Sequence, residues 1–302
     1  MIDAHAYECC DLCPRHCRVD RTAGKTGFCR MPAWPEAARA ALHMWEEPCI
    51  SGSRGSGAVF FSGCALRCVY CQNYQIAAGE IGRRVSPERL TEIFLELQDK
   101  GAANINLDTA TQFLPDIVPS LREAKERGLS IPILYNSSGY ETVETVMALG
   151  DLVDVWLPDF KYMEAELAAR FSGAPDYPQT AAVAIEKMIN LAGACTYDQD
   201  GYIQKGVIIR HLVLPGHTRN SIAVLDELSR RFGVGCCVSI MSQYTPVREC
   251  GKATELNRSL TDREYEKVLD HALALGFTEG FFQEGGVAKE SFIPAFDYSG
   301  IV

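Results

Sequence analysis

The sequence predicts an α/β protein in which six or seven strand–helix units form a parallel sheet that curves into an open or closed barrel. Short apolar runs alternate with amphipathic stretches from residue 58 onward, and helix-start and helix-stop residues lie between the runs. The length of 302 residues exceeds that of a usual single domain, yet one βα barrel accommodates it. A cysteine-rich segment precedes the first strand.

The strands are predicted from apolar runs and the helices from their ends. Ser86 caps a helix that has Pro87 in its first position, Gly128 ends the next one, and a third runs from Thr261 to Gly276. The tail around Gly285 and Gly286 is predicted to turn and cover the barrel. The predicted strands are 58–61, 104–107, 131–135, 153–157, 207–214 and 237–241, with a seventh candidate at 280–282.

Composition and charge exclude several classes of protein. The net charge is −10 and the pI is near 5.2, and no basic stripe appears, so we expect no nucleic-acid partner. No apolar run approaches the roughly 18 residues of a membrane helix, and the N-terminus lacks a signal-peptide pattern. We therefore expect a cytoplasmic protein without a membrane partner, whose 13 clustered cysteines indicate metal or redox chemistry rather than disulfides.

Residues 1–54 are predicted to form a cysteine-rich, metal-binding N-terminal extension, and residues 55–302 the main domain. The glycine- and serine-rich link at 51–57 marks the boundary. Four cysteines of the extension follow the spacing C-x2-C-x3-C-x11-C, and a metal would stabilise a segment too short to bury a core of its own. Zinc is the commonest occupant of four clustered thiolates, a second iron–sulfur cluster is the rival, and free buried thiols are the remaining alternative. The four residues are Cys10, Cys13, Cys17 and Cys29, with Cys9 as a substitute for Cys10.

Polar residues follow most of the predicted strands, where a βα barrel has its active site. Strand alternation places Asp159 and Lys161 on one face, and the following strand carries Arg210. If these side chains point inward, they need a polar ligand or each other. They could also form a structural ion pair, and Arg210 faces outward if its register slips by one residue. Further candidates, each also compatible with turn chemistry, are residues 108–111, residues 136–139, Gln243 and Tyr244.

A loop after the first predicted strand carries the most specific motif. Cys64, Cys68 and Cys71 have the spacing C-x3-C-x2-C, with Tyr70 before the last cysteine. A closed zinc site takes four ligands, whereas three thiolates on a four-iron cluster leave one iron open to a small molecule. A zinc site or a loop of structural thiols is the alternative.

This motif resembles the signature of the radical S-adenosylmethionine (SAM) enzymes. Residues 55 to 290 are similar to the pyruvate formate-lyase activating enzyme group, and closest to uncharacterised relatives with "CPRHC" near the N-terminus and "GCALRCVYCQN" in the cluster loop. The resemblance implies a partial (β/α)6 TIM-type barrel and a [4Fe–4S] cluster on Cys64, Cys68 and Cys71. It also implies that SAM chelates the open iron and is cleaved to a 5′-deoxyadenosyl radical that abstracts a hydrogen atom.

The same resemblance implies which residues contact SAM. Residues 108–111, "DTAT", occupy the slot where the family has a Gly-Gly-Glu stretch, and the absence of a glycine pair there is a departure from the family pattern. The implied SAM-binding residues are Tyr70, Asp108, Thr109, Thr111, Asn136, Ser137, Ser138, Asp159, Lys161 and Arg210.

Activation of a glycyl-radical enzyme, with a flavodoxin- or ferredoxin-type reductant, is the function that the resemblance implies most specifically. Hydrogen abstraction from a small molecule or a peptide is a second hypothesis in the same family. A non-catalytic iron–sulfur or zinc protein that serves electron transfer is the hypothesis from another class.

Overall fold

The strands that carry the fold lie in one sheet, which is parallel over most of its width. The computed structural model describes residues 2–282 and 294–301, so the predicted turn at Gly285 and Gly286 lies outside the described residues. The strands are β1 (Glu36–His43), β2 (Ser56–Phe61), β3 (Arg83–Arg84), β4 (Ile105–Asp108), β5 (Ile133–Ser137), β6 (Val155–Pro158), β7 (Thr196–Tyr197), β8 (Ile203–Leu212), β9 (Cys237–Met241) and β10 (Gly280–Phe282).

The helices cover the outside of this sheet and connect its parallel strands. They are α1 (Tyr74–Ala77), α2 (Pro87–Asp99), α3 (Leu114–Glu126), α4 (Val143–Leu149), α5 (Ala165–Ser172), α6 (Tyr177–Ala192), α7 (Thr218–Phe232) and α8 (Asp262–Leu275). The predicted caps are present: the Ser86 side chain accepts a hydrogen bond from the Arg89 N–H, and Thr261 forms a capping box with Glu264. No helix within the described ranges combines the length and the apolar content that a membrane span requires.

The order of the strands across the sheet is β10-β9-β8-β6-β5-β4-β2-β1-β3, and β7 pairs with β8. The seven strands from β2 to β10 on this path pair in parallel, whereas β1 pairs with β2 and β3 in antiparallel. Over the described residues β10 and β3 are the two ends of the path, which is consistent with a partial barrel. The predicted α/β class is confirmed, and each predicted strand lies within four residues of an observed one.

Strand β1 is the main element that the sequence did not predict. Its segment is rich in alanine, the best helix former, and only its tertiary pairing makes it a strand. The small side chains of β1 lie against β2, with Ala41 opposite Ala58. The sheet therefore begins before residue 55. Because β1 is antiparallel to β2, with His43 opposite Ser56, the chain that follows β1, residues 44–47, starts at the amino end of β2. The division of the chain at residue 54 stays a prediction.

Candidate active site

A cavity of about 230 Å³ lies at the carboxyl ends of the parallel strands. In an α/β sheet these ends meet at one edge, so side chains far apart in sequence converge there. We call it the main cavity. Its polar and cysteine lining comprises His43, Glu46, Cys64, Cys68, Tyr70, Cys71, Gln72, Asn73, Asp108, Thr109, Asn136, Ser137, Ser138, Asp159, Lys161, Arg210, Gln243, Tyr244 and Thr245.

The three-cysteine loop follows β2 and places all three thiols in the lining of the main cavity. Cys64, Cys68 and Cys71 are free thiols. Burial raises the pKa of the Cys64 thiol to about 11, with a further contribution from Cys68, and burial raises the pKa of Cys71 as well. Three thiolates at this place therefore require a positively charged partner.

A network of hydroxyl groups fixes this loop against α5. The Ser172 hydroxyl lies 3.0 Å from the Cys68 sulfur, and Tyr162 bridges Ser172 at 2.8 Å and Tyr70 at 2.7 Å. The Tyr70 ring also packs edge-on against Phe171. Tyr70 thus forms part of the cavity wall and positions the cysteine loop.

The predicted acid and amine after β6 pair with each other inside the main cavity. Lys161 Nζ and Asp159 Oδ2 are 2.5 Å apart, and both side chains are largely buried. Burial alone would lower the pKa of Lys161, but Asp159 and then Cys68 outweigh it, so the pKa is raised and the amine stays charged. The Tyr177 hydroxyl fixes the segment by donating to the carbonyls of Ser138, at 2.8 Å, and Asp159, at 2.9 Å.

Arg210 points into the main cavity, so the alternative of an outward-facing Arg210 is wrong. Two carboxylates that the sequence analysis did not single out hold its guanidinium. Arg210 Nη2 lies 2.5 Å from Glu46 Oε2 and also contacts Glu47, and Arg210 Nε lies 3.0 Å from Glu47 Oε1. A guanidinium paired with two carboxylates has little net positive charge to offer a SAM carboxylate. The predicted contact between Arg210 and SAM stays a prediction.

Residues 108–111 divide between two environments. Asp108 and Thr109 line the main cavity, and the Thr109 hydroxyl lies 3.1 Å from Asp108 Oδ1. Burial, and then the neighbouring Glu46, raises the pKa of Asp108 to about 7. Thr111 lies outside the main cavity, because its hydroxyl turns inward to Tyr135 and Glu141, each at 2.8 Å. The structure therefore does not bring Thr111 to the predicted SAM-binding group.

The loop after β5 contributes Asn136, Ser137 and Ser138 to the main cavity. Gly139 follows with φ +72°, and a Cβ at this position would lie 2.1 Å from the Asp159 carbonyl oxygen. Glycine is needed here because only it allows the ends of β5 and β6 to approach this closely.

The sequence analysis missed Glu46, Glu47 and Asn73. The paired glutamates follow an unpredicted strand, so nothing in the sequence pattern places them beside Arg210. Asn73 directly follows the cysteine loop, and its position there is the signal that could have found it. Its buried Oδ1 has no hydrogen-bond partner among the described residues. A ligand donor in the main cavity would satisfy this atom.

The residues of the main cavity fit a [4Fe–4S] cluster and SAM. In the described part of the chain, no three His, Cys, Asp or Glu side chains are grouped so as to hold a metal ion. In a cluster each thiolate binds a different iron. The sulfur atoms around a cluster are therefore arranged differently from those around a single metal ion. The main cavity combines three thiols, a buried lysine and a buried amide oxygen that has no hydrogen-bond partner among the described residues. This set of groups suits a cluster with an open iron and a polar ligand beside it.

The four N-terminal cysteines line a second, smaller cavity. We call it the N-terminal cavity, and it is lined by Cys10, Leu12, Cys13, Cys17, Arg21, Gly27, Cys29, Ala65, Thr111 and Gln112. Cys10 is buried, whereas Cys9 is exposed and is not part of this lining, so Cys10 is the member of the set. No grouping for a single metal ion is present here among residues 2–282 either, so a metal-binding extension is not confirmed and stays a prediction.

Comparison with known proteins identifies the family. The profile of the Radical SAM superfamily matches residues 58–228, more than half of the chain, and the chain belongs to this superfamily. Membership implies a [4Fe–4S] cluster and SAM as cofactors. The predicted closer kinship to the pyruvate formate-lyase activating enzymes is not confirmed.

The chain is also similar to individual proteins. The chain is 28% identical to the uncharacterised protein MJ0674 of Methanocaldococcus jannaschii over 279 residues, which cover 90% of this chain and 76% of that protein. It is similar in fold to SuiB of Streptococcus suis bound to S-adenosylmethionine, with a TM-score of 0.50, 17% identity and coverage of 74% of this chain and 48% of that one. The hydrogenase maturase HydG of Carboxydothermus hydrogenoformans gives a TM-score of 0.48 at 17% identity, covering 78% of this chain and 56% of that one. The chain thus spans about half the length of these two solved structures.

The raised pKa of Asp108 predicts a pH-dependent stability. Between the ordinary pKa of 3.8 and a folded-state pKa of about 7, the folded chain holds a proton that the unfolded chain has lost, so this group's stabilising contribution falls as the pH rises. We expect the free energy of unfolding of the wild type, relative to Asp108→Asn, to fall by roughly 2 kcal/mol between pH 5 and pH 8. Anaerobic urea unfolding at both pH values measures the difference. Replacement of an exposed carboxylate, Asp151→Asn, is the control and should leave the pH dependence unchanged, and equal slopes for wild type and Asp108→Asn would contradict the prediction.

Proposed function

We propose that the chain binds SAM in the main cavity, cleaves it with a single electron and takes a hydrogen atom from a polypeptide substrate. Membership in the Radical SAM superfamily supports the SAM-cleaving radical chemistry. The observation that carries the proposal is that three thiols of one loop share a cavity with polar side chains from the carboxyl ends of the strands. When bound, a reduced cluster supplies the electron and SAM supplies the carbon centre that removes the hydrogen atom.

The residues of this chain hold and shield these groups. Cys64, Cys68 and Cys71 would bind three irons and leave the fourth open to SAM. Lys161 lies within electrostatic reach of Cys68 and Cys71, where its charge offsets part of the thiolate charge. Asn73 Oδ1 would accept a hydrogen bond from SAM. Apolar side chains, among them Leu66, complete the cavity wall and exclude water from reactive species.

Replacement of one cluster cysteine should abolish SAM cleavage. In Cys68→Ala one iron loses its thiolate and the buried position offers no replacement ligand, so we expect the iron of this site to be lost and 5′-deoxyadenosine formation to fall at least 100-fold. The measurement is iron analysis of anaerobically reconstituted protein, followed by product analysis after addition of dithionite and SAM.

A cysteine at the opposite end of the sheet provides the matched control. Cys236 directly precedes β9, at its amino end, so Cys236→Ala should keep both the iron and the activity. A wild type that binds a cluster but leaves SAM intact under reductant would instead favour the non-catalytic electron-transfer function.

The nature of the substrate is the finer part of the proposal. Two large apolar side chains follow β1 and stay exposed: Met44 is 44% exposed, and Trp45, which lines the main cavity, is 52% exposed. An exposed apolar side chain of the size of Trp45 in the wall of a site favours contact with a protein or peptide over contact with a small polar molecule. This supports a polypeptide substrate, and the resemblance of the sequence to activating enzymes specifies it as a glycyl-radical enzyme with a flavodoxin- or ferredoxin-type reductant.

A partner experiment tests this specification. With reductant, SAM and a candidate glycyl-radical enzyme, we expect a glycyl radical in the partner by electron paramagnetic resonance, and none when the partner's radical glycine is replaced by alanine. Met44→Ser should lower the radical yield several-fold because it removes an exposed apolar side chain next to Trp45, while SAM cleavage without a partner stays unchanged. SAM cleavage without a radical in any candidate enzyme would contradict the activating function and leave a small molecule or a peptide as the substrate.

A further inference from the structure

The four cysteines around the N-terminal cavity belong to a site that the proposed function does not use. Cys10, Cys13, Cys17 and Cys29 come from a segment with little regular structure, yet their side chains line one cavity. The backbone holds them in place: the Cys10 N–H donates to the Val19 carbonyl at 3.0 Å, and the Arg18 N–H donates to the Cys10 carbonyl at 2.9 Å. All four are free thiols, so no disulfide accounts for their proximity.

The Cys17 sulfur is closely packed and accepts a hydrogen bond from the backbone. The Phe28 N–H donates to Cys17 Sγ at 3.3 Å, and a Cβ added at Gly27 would lie 2.7 Å from the same sulfur. Backbone N–H groups that point at cysteine sulfurs stabilise bound thiolates and tune iron–sulfur clusters.

The charge of Arg21 is the second, independent observation. Arg21 is 1% exposed and lines the N-terminal cavity. Among the described residues its hydrogen bonds to oxygen go to the carbonyls of Met31, Pro32 and Gln112, and Nη1 lies 3.7 Å from Cys10 Sγ. Over the described ranges no carboxylate lies within ion-pair distance of this guanidinium.

A buried cation without a paired anion is costly, so a negative charge inside the N-terminal cavity would stabilise Arg21. Four thiolates around a metal core supply that charge, since their total exceeds the positive charge of the core. Arg21 and the four cysteines are therefore electrically complementary only when the thiols are ionised and bound.

The N-terminal cavity adjoins the loop that carries the other cysteine set. Ala65, directly after Cys64, lines the N-terminal cavity, while Cys64 and Leu66 line the main cavity. Arg15 fixes the N-terminal segment to this loop, because its Nε donates to the Ala65 carbonyl at 2.7 Å. Gln112 Nε2 donates to the carbonyls of Ser62, at 2.7 Å, and Gly63, at 3.1 Å, from the other side.

We propose that Cys10, Cys13, Cys17 and Cys29 hold a second iron–sulfur cluster, of the [4Fe–4S] type, beside the cluster that cleaves SAM. Four thiolates are the ligand set of such a cluster, and Cys13-Pro14 repeats the Cys-Pro pair of ferredoxin motifs. A second iron–sulfur cluster next to the first also serves electron transfer, which zinc does not support because it has no redox chemistry.

Metal analysis of a chain without the first site tests the proposal. In Cys64→Ala/Cys68→Ala/Cys71→Ala, anaerobically reconstituted with iron and sulfide, we expect about four irons and four sulfides per chain and a [4Fe–4S] Mössbauer spectrum. The wild type should hold about twice that amount. Adding Cys13→Ala and Cys29→Ala should remove the iron, whereas adding Cys9→Ala, the exposed neighbour of Cys10, should not.

The outcomes are separable from those for SAM cleavage. One zinc per chain and no iron in the triple variant overturns the iron–sulfur assignment, and no metal overturns the site, whatever activity the wild type shows. Circular dichroism checks whether the variant that also lacks Cys13 and Cys29 still folds. If it does not fold, the metal content of the triple variant alone tests the proposal. Arg21→Met offers a further readout: loss of the buried cation should make the reduction potential of the second cluster more negative in a redox titration, and an unchanged potential would contradict the role given to Arg21.

Discussion

The pairing of Arg210 with Glu46 and Glu47 is the interaction on which the geometry of the main cavity depends. It joins β8 to the chain that follows β1, although the two strands lie on opposite sides of the parallel core of the sheet. An arginine buried at this depth requires partners, because an unpaired charge in the interior costs several kcal/mol. The two carboxylates satisfy that requirement and tie the segment that follows β1 to β8.

The same requirement explains the rest of the lining. Asp159 pairs with Lys161, whereas Asp108 forms no ion pair among the described residues, and burial raises its pKa to about 7. A carboxyl group whose pKa lies near neutral pH, a charged lysine and three thiols then share one small volume. Such a site is short of positive charge as soon as its thiols ionise, and binding of a cationic cluster core corrects the imbalance.

The sequence predicts the parallel core well because each of its strands is a short apolar run between helix-capping residues. Val59, Leu107 and Tyr135 are examples, and their pairing in register places every polar residue that follows a strand at one edge. The cysteine loop, Asp159 and Lys161 were therefore predictable from their position after a strand. Strand β1 was not predictable, because its alanines do not favour a strand. Glu46 and Glu47, which follow β1, were missed for the same reason. Thr111 was placed wrongly for a different reason: a single 3-10 turn rotates its hydroxyl into the core, and sequence spacing does not encode that rotation.

The relation between the two cysteine sets depends on the backbone of a single loop. Because Cys64 faces one cavity and Ala65 the other, a change in charge or ligation on either side acts on the same few peptide groups. Arg15 donates to the carbonyl of Ala65 and Gln112 to the carbonyl of Gly63, so a movement of the loop away from the N-terminal cavity would break these contacts. Metal bound by the N-terminal cysteines would therefore stiffen the loop that carries Cys64 and Cys68. Neutral thiols would leave the buried Arg21 guanidinium without a negative charge inside the N-terminal cavity, which four bound thiolates would supply.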